Sequence, residues 1–118
     1  MKTRNKPLGT NNSLLKAKVL NPAGLVDYAK GSIVSKTLID RKAGTLTLFA
    51  FDRGQGLSEH VAPFDAVVQI LDGAAAITIA GRPLKAKAGD LVIMPANVPH
   101  ALKAAQKFKM LLIMIRGK

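Results

Sequence analysis

The sequence predicts an all-β chain, folded as a closed barrel or as two packed sheets. Three observations lead there. Short runs of β-branched and apolar residues alternate with polar ones at a period of two. Gly, Pro, Asn and Asp punctuate these runs at the roughly eight- to twelve-residue spacing of a sandwich or barrel. No stretch has the length and spacing of a long amphipathic helix. The 118 residues suit one domain with one core.

Residues 1–13 are polar and basic, and read as a flexible arm ahead of a single domain over 14–118. From Leu14 to Leu20, Leu15, Ala17 and Val19 alternate with Lys16 and Lys18. This predicts an edge strand whose lysines oppose edge-to-edge association. Asn21 and Pro22 predict a short helical turn, with Asn21 as cap, Pro22 at the first helical position and Gly31 beyond its end. Ser32–Ile39 and Thr45–Phe51, joined across Gly44, predict a hairpin. A loop with Gly54 and Gly56 leads to His60, and Pro63 marks a bulge or an edge. Ala66–Leu71 is apolar except for Gln69. Asp72-Gly73 then predicts a two-residue hairpin turn that returns the chain as Ala74–Ala80. A further turn falls on Gly81-Arg82-Pro83. Leu91–Met94 is an apolar strand, stopped by Pro95 and the Asn97-Val98-Pro99 turn, and His100 opens the next strand. Phe108–Ile115 is apolar almost throughout, which predicts burial on both faces, one of them against a second subunit.

Composition excludes several function classes. There is no cysteine, hence no disulfide framework, thiolate metal site or cysteine nucleophile. No apolar run is long enough to span a membrane as a helix. The basic N-terminus leads into no apolar segment of a secretory signal, so the expected location is cytoplasmic. The net charge of +11 comes from the two ends, while residues 43–73 are net acidic. With few aromatic residues and no recognisable module, this reads as a solvated basic surface without a specific nucleic-acid partner. Covalent serine chemistry is disfavoured too, because Ser58 lies outside any Gly-x-Ser-x-Gly context.

Two segments concentrate the remaining chemistry. One runs from Gly54 through His60 to Gly73, the other from Gly89 through Pro95 to His100, and together they hold both histidines of the chain. Each starts in a glycine turn, passes through a short apolar strand and carries its histidine at a strand end. Paired strands would let His60 and His100 face one cavity. Imidazole is the commonest protein ligand of first-row metals, so a divalent ion is one candidate occupant, with Glu59, Asp65 or Gln69 as a third ligand. In a regular strand Glu59 points away from the cavity; so does Asp65, barring a bulge. Gln69 is polar in an apolar run and is placed toward the cavity. The bland reading makes both histidines structural, the glycines turn residues, and Phe49, Phe51, Met94 and Met110 core.

The spacing of Gly54, His60 and Gly73, and that of Gly89, Pro95 and His100, resembles the two motifs of the cupin superfamily. The string Ser58-Glu-His-x-x-Pro-Phe-Asp-Ala66 resembles small stand-alone bacterial cupins. Asn97 stands where the family often has glycine, a mild change at a left-handed position. The resemblance implies a jelly-roll barrel, or double-stranded β-helix, and a homodimer. It also implies a metal site, but the second histidine and the glutamate of the first motif fall on Ala62 and Ala66, which have no lone pair to give. Two ligand positions of four remain, His60 and His100. The expected function is therefore a small-molecule pocket near His60 and His100, lined also by Phe64, Gln69 and Met94, metal-free or weakly metallated. Small residues at 62 and 66 predict added cavity volume beside the histidines. The alternatives are a metal-dependent dioxygenase or isomerase with a non-standard third ligand, and a non-catalytic interaction module.

Overall fold

A computed structural model describes residues 3–5 and 12–117. Nine strands follow in order: β1 (Thr3–Asn5), β2 (Ile33–Arg41), β3 (Gly44–Phe51), β4 (Gly56–His60), β5 (Asp65–Ile79), β6 (Arg82–Lys87), β7 (Leu91–Met94), β8 (His100–Lys103) and β9 (Phe108–Ile115). Among the described residues the helical content is two short 3₁₀ turns, Asn12–Leu15 and Pro22–Gly24. Among the described residues no helix is long and apolar enough to cross a membrane.

β5 organises the barrel. Its first half pairs with β9 on one side and β7 on the other; its second half pairs with β8 and β6. The larger sheet runs β1-β2-β3-β9-β5-β7, and the smaller runs β4-β8-β5-β6. Between them lies a core of Ile33, Phe51, Val68, Ile70, Ile77, Phe108 and Met110, in which the Phe51 and Phe108 rings stack at 4.5 Å. Period-two alternation explains which residues enter it. Ala66, Val68 and Ile70 are buried, while Val67 and Gln69 between them are only partly so.

The Asp72-Gly73 hairpin is corrected. β5 runs straight through these residues, with a register shift between Ile70 and Asp72. A two-residue hairpin turn of this kind needs positive φ at both central positions, and only Gly73 has it, at 72°. The glycine instead bends a continuous strand from one sheet into the other. It also lets β9 approach, since a Cβ there would meet the Lys107 carbonyl oxygen and lie 3.0 Å from the Phe108 Cα. The two-residue turn sits at Ala80-Gly81, with φ of 51° and 76°, and closes the β5–β6 hairpin.

Two smaller expectations also change. Leu14–Leu20 is no strand: Asn12–Leu15 is a 3₁₀ turn, and Leu14 and Val19 are exposed, so the alternation has no core to face. β1 takes the place beside β2 instead, in parallel register. Of the proposed N-terminal arm, residues 1–2 and 6–11 lie outside the described residues. The Asn21 side chain makes no cap bond; the main-chain carbonyl of Asn21 accepts from Gly24 N.

One end of the larger sheet's outer face is covered by residues 22–31. Leu25, Val26, Tyr28 and Ala29 pack there on Val34, Leu48, Ala50 and Leu111. The Lys107 and Lys109 ammonium groups stand 4.8 and 5.0 Å from the Tyr28 ring centre, and Lys109 donates to the Ala23 carbonyl at 2.7 Å. The second face of β9 is thus partly covered by its own chain.

Candidate functional site

His60 ends β4 and His100 begins β8, and the two residues are register partners across that pair. A register shift between Leu57 and His60 changes the parity, so Leu57 and His60 line the same cavity. The turn before His100 is clipped to the segment after His60 by two bonds. Asn97 N donates to the Ala62 carbonyl at 2.7 Å, and Ala96 N donates to Asp65 Oδ1 at 2.8 Å. Asn97 adopts φ 65°, the left-handed backbone expected of that position.

The imidazoles meet edge to face. Their centroids are 4.3 Å apart and their Nε2 atoms 3.0 Å apart. His100 is buried, whereas His60 stands exposed at the mouth. Each Nδ1 lies against a carbonyl two residues back, His60 against Ser58 O at 2.8 Å and His100 against Val98 O at 3.1 Å. A carbonyl only accepts, so each Nδ1 carries its hydrogen and donates. In the neutral rings both Nε2 atoms are then lone-pair acceptors. At 3.0 Å two acceptors repel, unless a proton or a cation lies between them or an outside donor separates them.

Behind the pair is a cavity of about 260 Å³. Ala62, Phe64, Ala66, Leu102 and Leu112 line it, with Met94, Met110 and Met114. Apart from the imidazoles its wall is apolar. It is smaller than the roughly 300–1,000 Å³ of pockets for drug-sized ligands. Phe64 and Met94 border the space beside Ala62 and Ala66 without filling it.

The other expected residues lie elsewhere. Gln69 falls on the opposite face of β5 from Ala66 and Val68, and is not part of this lining. Asp65 is engaged by Ala96 N, and Glu59 is exposed. Among the described residues no group of three or more His, Cys, Asp or Glu could hold a metal ion. The donors present therefore do not fit the divalent ion of metal-binding cupins. Met110, read as core, is core and borders the cavity as well, while Leu57, Leu102, Leu112 and Met114 are lining residues that the sequence did not point to. The register supplies the missing signal, since Met94 and Met114 are the cross-strand partners of Ala66 on its two sides.

The cupin domain family model matches residues 47–116, a span that contains both histidine segments. This chain belongs to the cupin family. The cupin resembles a conserved Streptococcus pyogenes protein of unknown function at 38% identity and a TM-score of 0.82, over 86% of this chain and 90% of that one. It resembles a cupin 2 conserved barrel domain protein from Leptotrichia buccalis at 41% identity and a TM-score of 0.77, over 79% of this chain but 45% of that one. A cupin superfamily protein from Desulfitobacterium hafniense matches at 27% identity and a TM-score of 0.81, over 86% and 94%. No curated protein matches the cupin.

Proposed function

We propose that this cupin binds a small, largely apolar molecule bearing one polar O–H group, such as a short carboxylic acid. One observation carries the reading: an apolar cavity of about 260 Å³ is closed at one end by two convergent imidazoles and by no other polar side chain. The ligand's O–H between the Nε2 atoms would take the place of their mutual contact by donating to a lone pair there. The apolar remainder would replace water in the cavity, at about 25 cal/mol for each Å² buried. Ligand-observed NMR with a panel of short aliphatic and aromatic carboxylic acids tests this. Binding should occur with the wild type and be lost in Ala66→Leu, which fills the cavity, and in His60→Gln. Binding that survives Ala66→Leu would place the ligand elsewhere and end the proposal.

We also propose a homodimer formed through the open end of the larger sheet. Ile39, Leu46, Ile113, Val67 and Ile93 are register partners across five strands. They make one aliphatic row on the outer face, with Ile93 59% exposed and the neighbouring Leu91 and Ile115 more than half exposed. A continuous apolar row of this kind favours a partner over water. Light scattering on the wild type should give twice the chain mass, and Ile113→Lys should give the chain mass. A monomeric wild type at micromolar concentration refutes the proposal.

A further inference from the structure

We propose that the imidazole end of the cavity is a site for a soft monovalent cation, copper(I), held by His60 Nε2, His100 Nε2 and the thioethers of Met94 and Met114. This goes beyond the organic-ligand reading and needs only the same cavity. Three of the four methionines of the chain line that cavity together with both of its histidines. Two of them are placed by the sheet register around one point. Ala66, where metal-binding cupins carry a hard carboxylate, is paired with Met94 on β7 and with Met114 on β9. Neighbouring strands lie about 4.8 Å apart, so both thioether side chains flank the vacated position on the cavity side. The hard ligand is gone and soft ones stand beside its place.

The donor set decides the metal. Thioether and imidazole are the partners of copper(I), whereas hard divalent ions prefer carboxylate and carbonyl oxygen. All four donors are neutral, and no lining residue is acidic. A divalent ion would bring two uncompensated charges into apolar walls, in a chain of net charge +11. A monovalent ion brings one. The imidazoles are already oriented: each Nδ1 donates to a main-chain carbonyl, which turns the Nε2 lone pair toward the other ring. Two nitrogens each about 2.0 Å from one metal stand about 3.3 Å apart at a tetrahedral angle. The observed Nε2 separation of 3.0 Å needs a shift of a few tenths of an ångström. Methionine is also an ordinary core filler, so the test must separate thioether ligation from packing.

The experiment is an anaerobic titration of the purified protein with copper(I) against a coloured copper(I) chelator, with zinc(II) and manganese(II) run in parallel. We expect one equivalent of copper(I) to be retained and neither divalent ion to be held at equal concentration. Met94→Leu and Met114→Leu keep side-chain volume, and each should weaken copper(I) binding at least tenfold with thermal melting nearly unchanged. X-ray absorption at the copper edge should show sulfur scatterers that are lost in the double variant. Met114 is only partly buried, so Met114→Leu alone carries the test if Met94→Leu does not fold. Copper(I) binding unaltered in Met114→Leu, or zinc(II) held as tightly as copper(I), overturns the proposal. Failure here with carboxylic acids still bound in the NMR panel sinks the copper site alone; failure of both means that the cavity is closed in solution.

Discussion

Replacing Gly73 with alanine separates two costs that the structure places at one residue. The first is conformational. Gly73 has φ 72°, and holding an alanine in the left-handed region costs about 1–2 kcal/mol. The second is steric. The new Cβ would collide with the Lys107 carbonyl oxygen and sit 3.0 and 3.1 Å from the Phe108 Cα and the Lys107 carbonyl carbon. All of these are backbone atoms, so relief requires β9 to move away from β5, an overpacking cost of about 1–3 kcal/mol. Together they come to about 2–5 kcal/mol, a large part of the roughly 5–15 kcal/mol that holds a domain. At about 4 °C per kcal/mol for this size, the melting temperature should fall by about 8–20 °C. Gly81→Ala is the control. Gly81 has φ 76° and no atom within 4 Å of the added Cβ, so it carries the conformational cost alone, about 4–8 °C. Any gain from a stiffer unfolded chain is common to both variants and cancels in the comparison. Thermal melting by circular dichroism measures the difference. Equal losses in the two variants would show that β5 and β9 are not held at this separation, and would refute the account of the bend.

Two further expectations concern pH. Asp52 accepts the Gly31 N–H at 2.7 Å, and that bond, followed by one from the Arg53 N–H, holds its carboxyl below the usual range. The stability it contributes is present above the unfolded value near pH 4 and is lost as pH falls through the lower folded value. Asp52→Asn should therefore flatten the acid limb of melting temperature against pH, and an unchanged limb would deny the bond this role. Tyr28, the one tyrosine of the chain, is pushed well above its ordinary value by burial and by its 2.6 Å bond to Asp72. Its contribution is complete below about pH 10 and declines as pH rises through the folded value. Ultraviolet titration of the native protein should show no tyrosinate until well beyond pH 10; a normal titration would mean that residues 22–31 do not stay docked.

Much of this was legible in the sequence, for local reasons. The strand pair β2–β3 follows from alternation and a nearby glycine turn, and the convergence of His60 with His100 follows from motif spacing. What escaped was non-local. Asp72-Gly73 has the composition of a turn, but whether a glycine turns the chain or bends a strand depends on what lies across from it, here Lys107 and Phe108. Gln69 illustrates the same limit: its polarity suggested the cavity, and the parity of its strand places it on the other side. Met94 and Met114 are twenty residues apart in sequence and line one cavity because both pair with Ala66, from its two sides.

The position of β9 bears on how this chain is made. It is the last of the described strands, yet it lies in the middle of the larger sheet, hydrogen-bonded to β3 and to β5. Until Phe108–Ile115 has emerged from the ribosome, those two strands have open edges facing each other with nothing between, and the Phe51–Phe108 stack has one ring. Nascent chain ending before residue 108 can form hairpins but cannot close the barrel, so closure waits until Phe108–Ile115 is available to pair. A newly made copy therefore passes through a stage with two long, largely aliphatic edges exposed. A mutation that slows the insertion of β9 would lower the yield of soluble protein without touching the cavity.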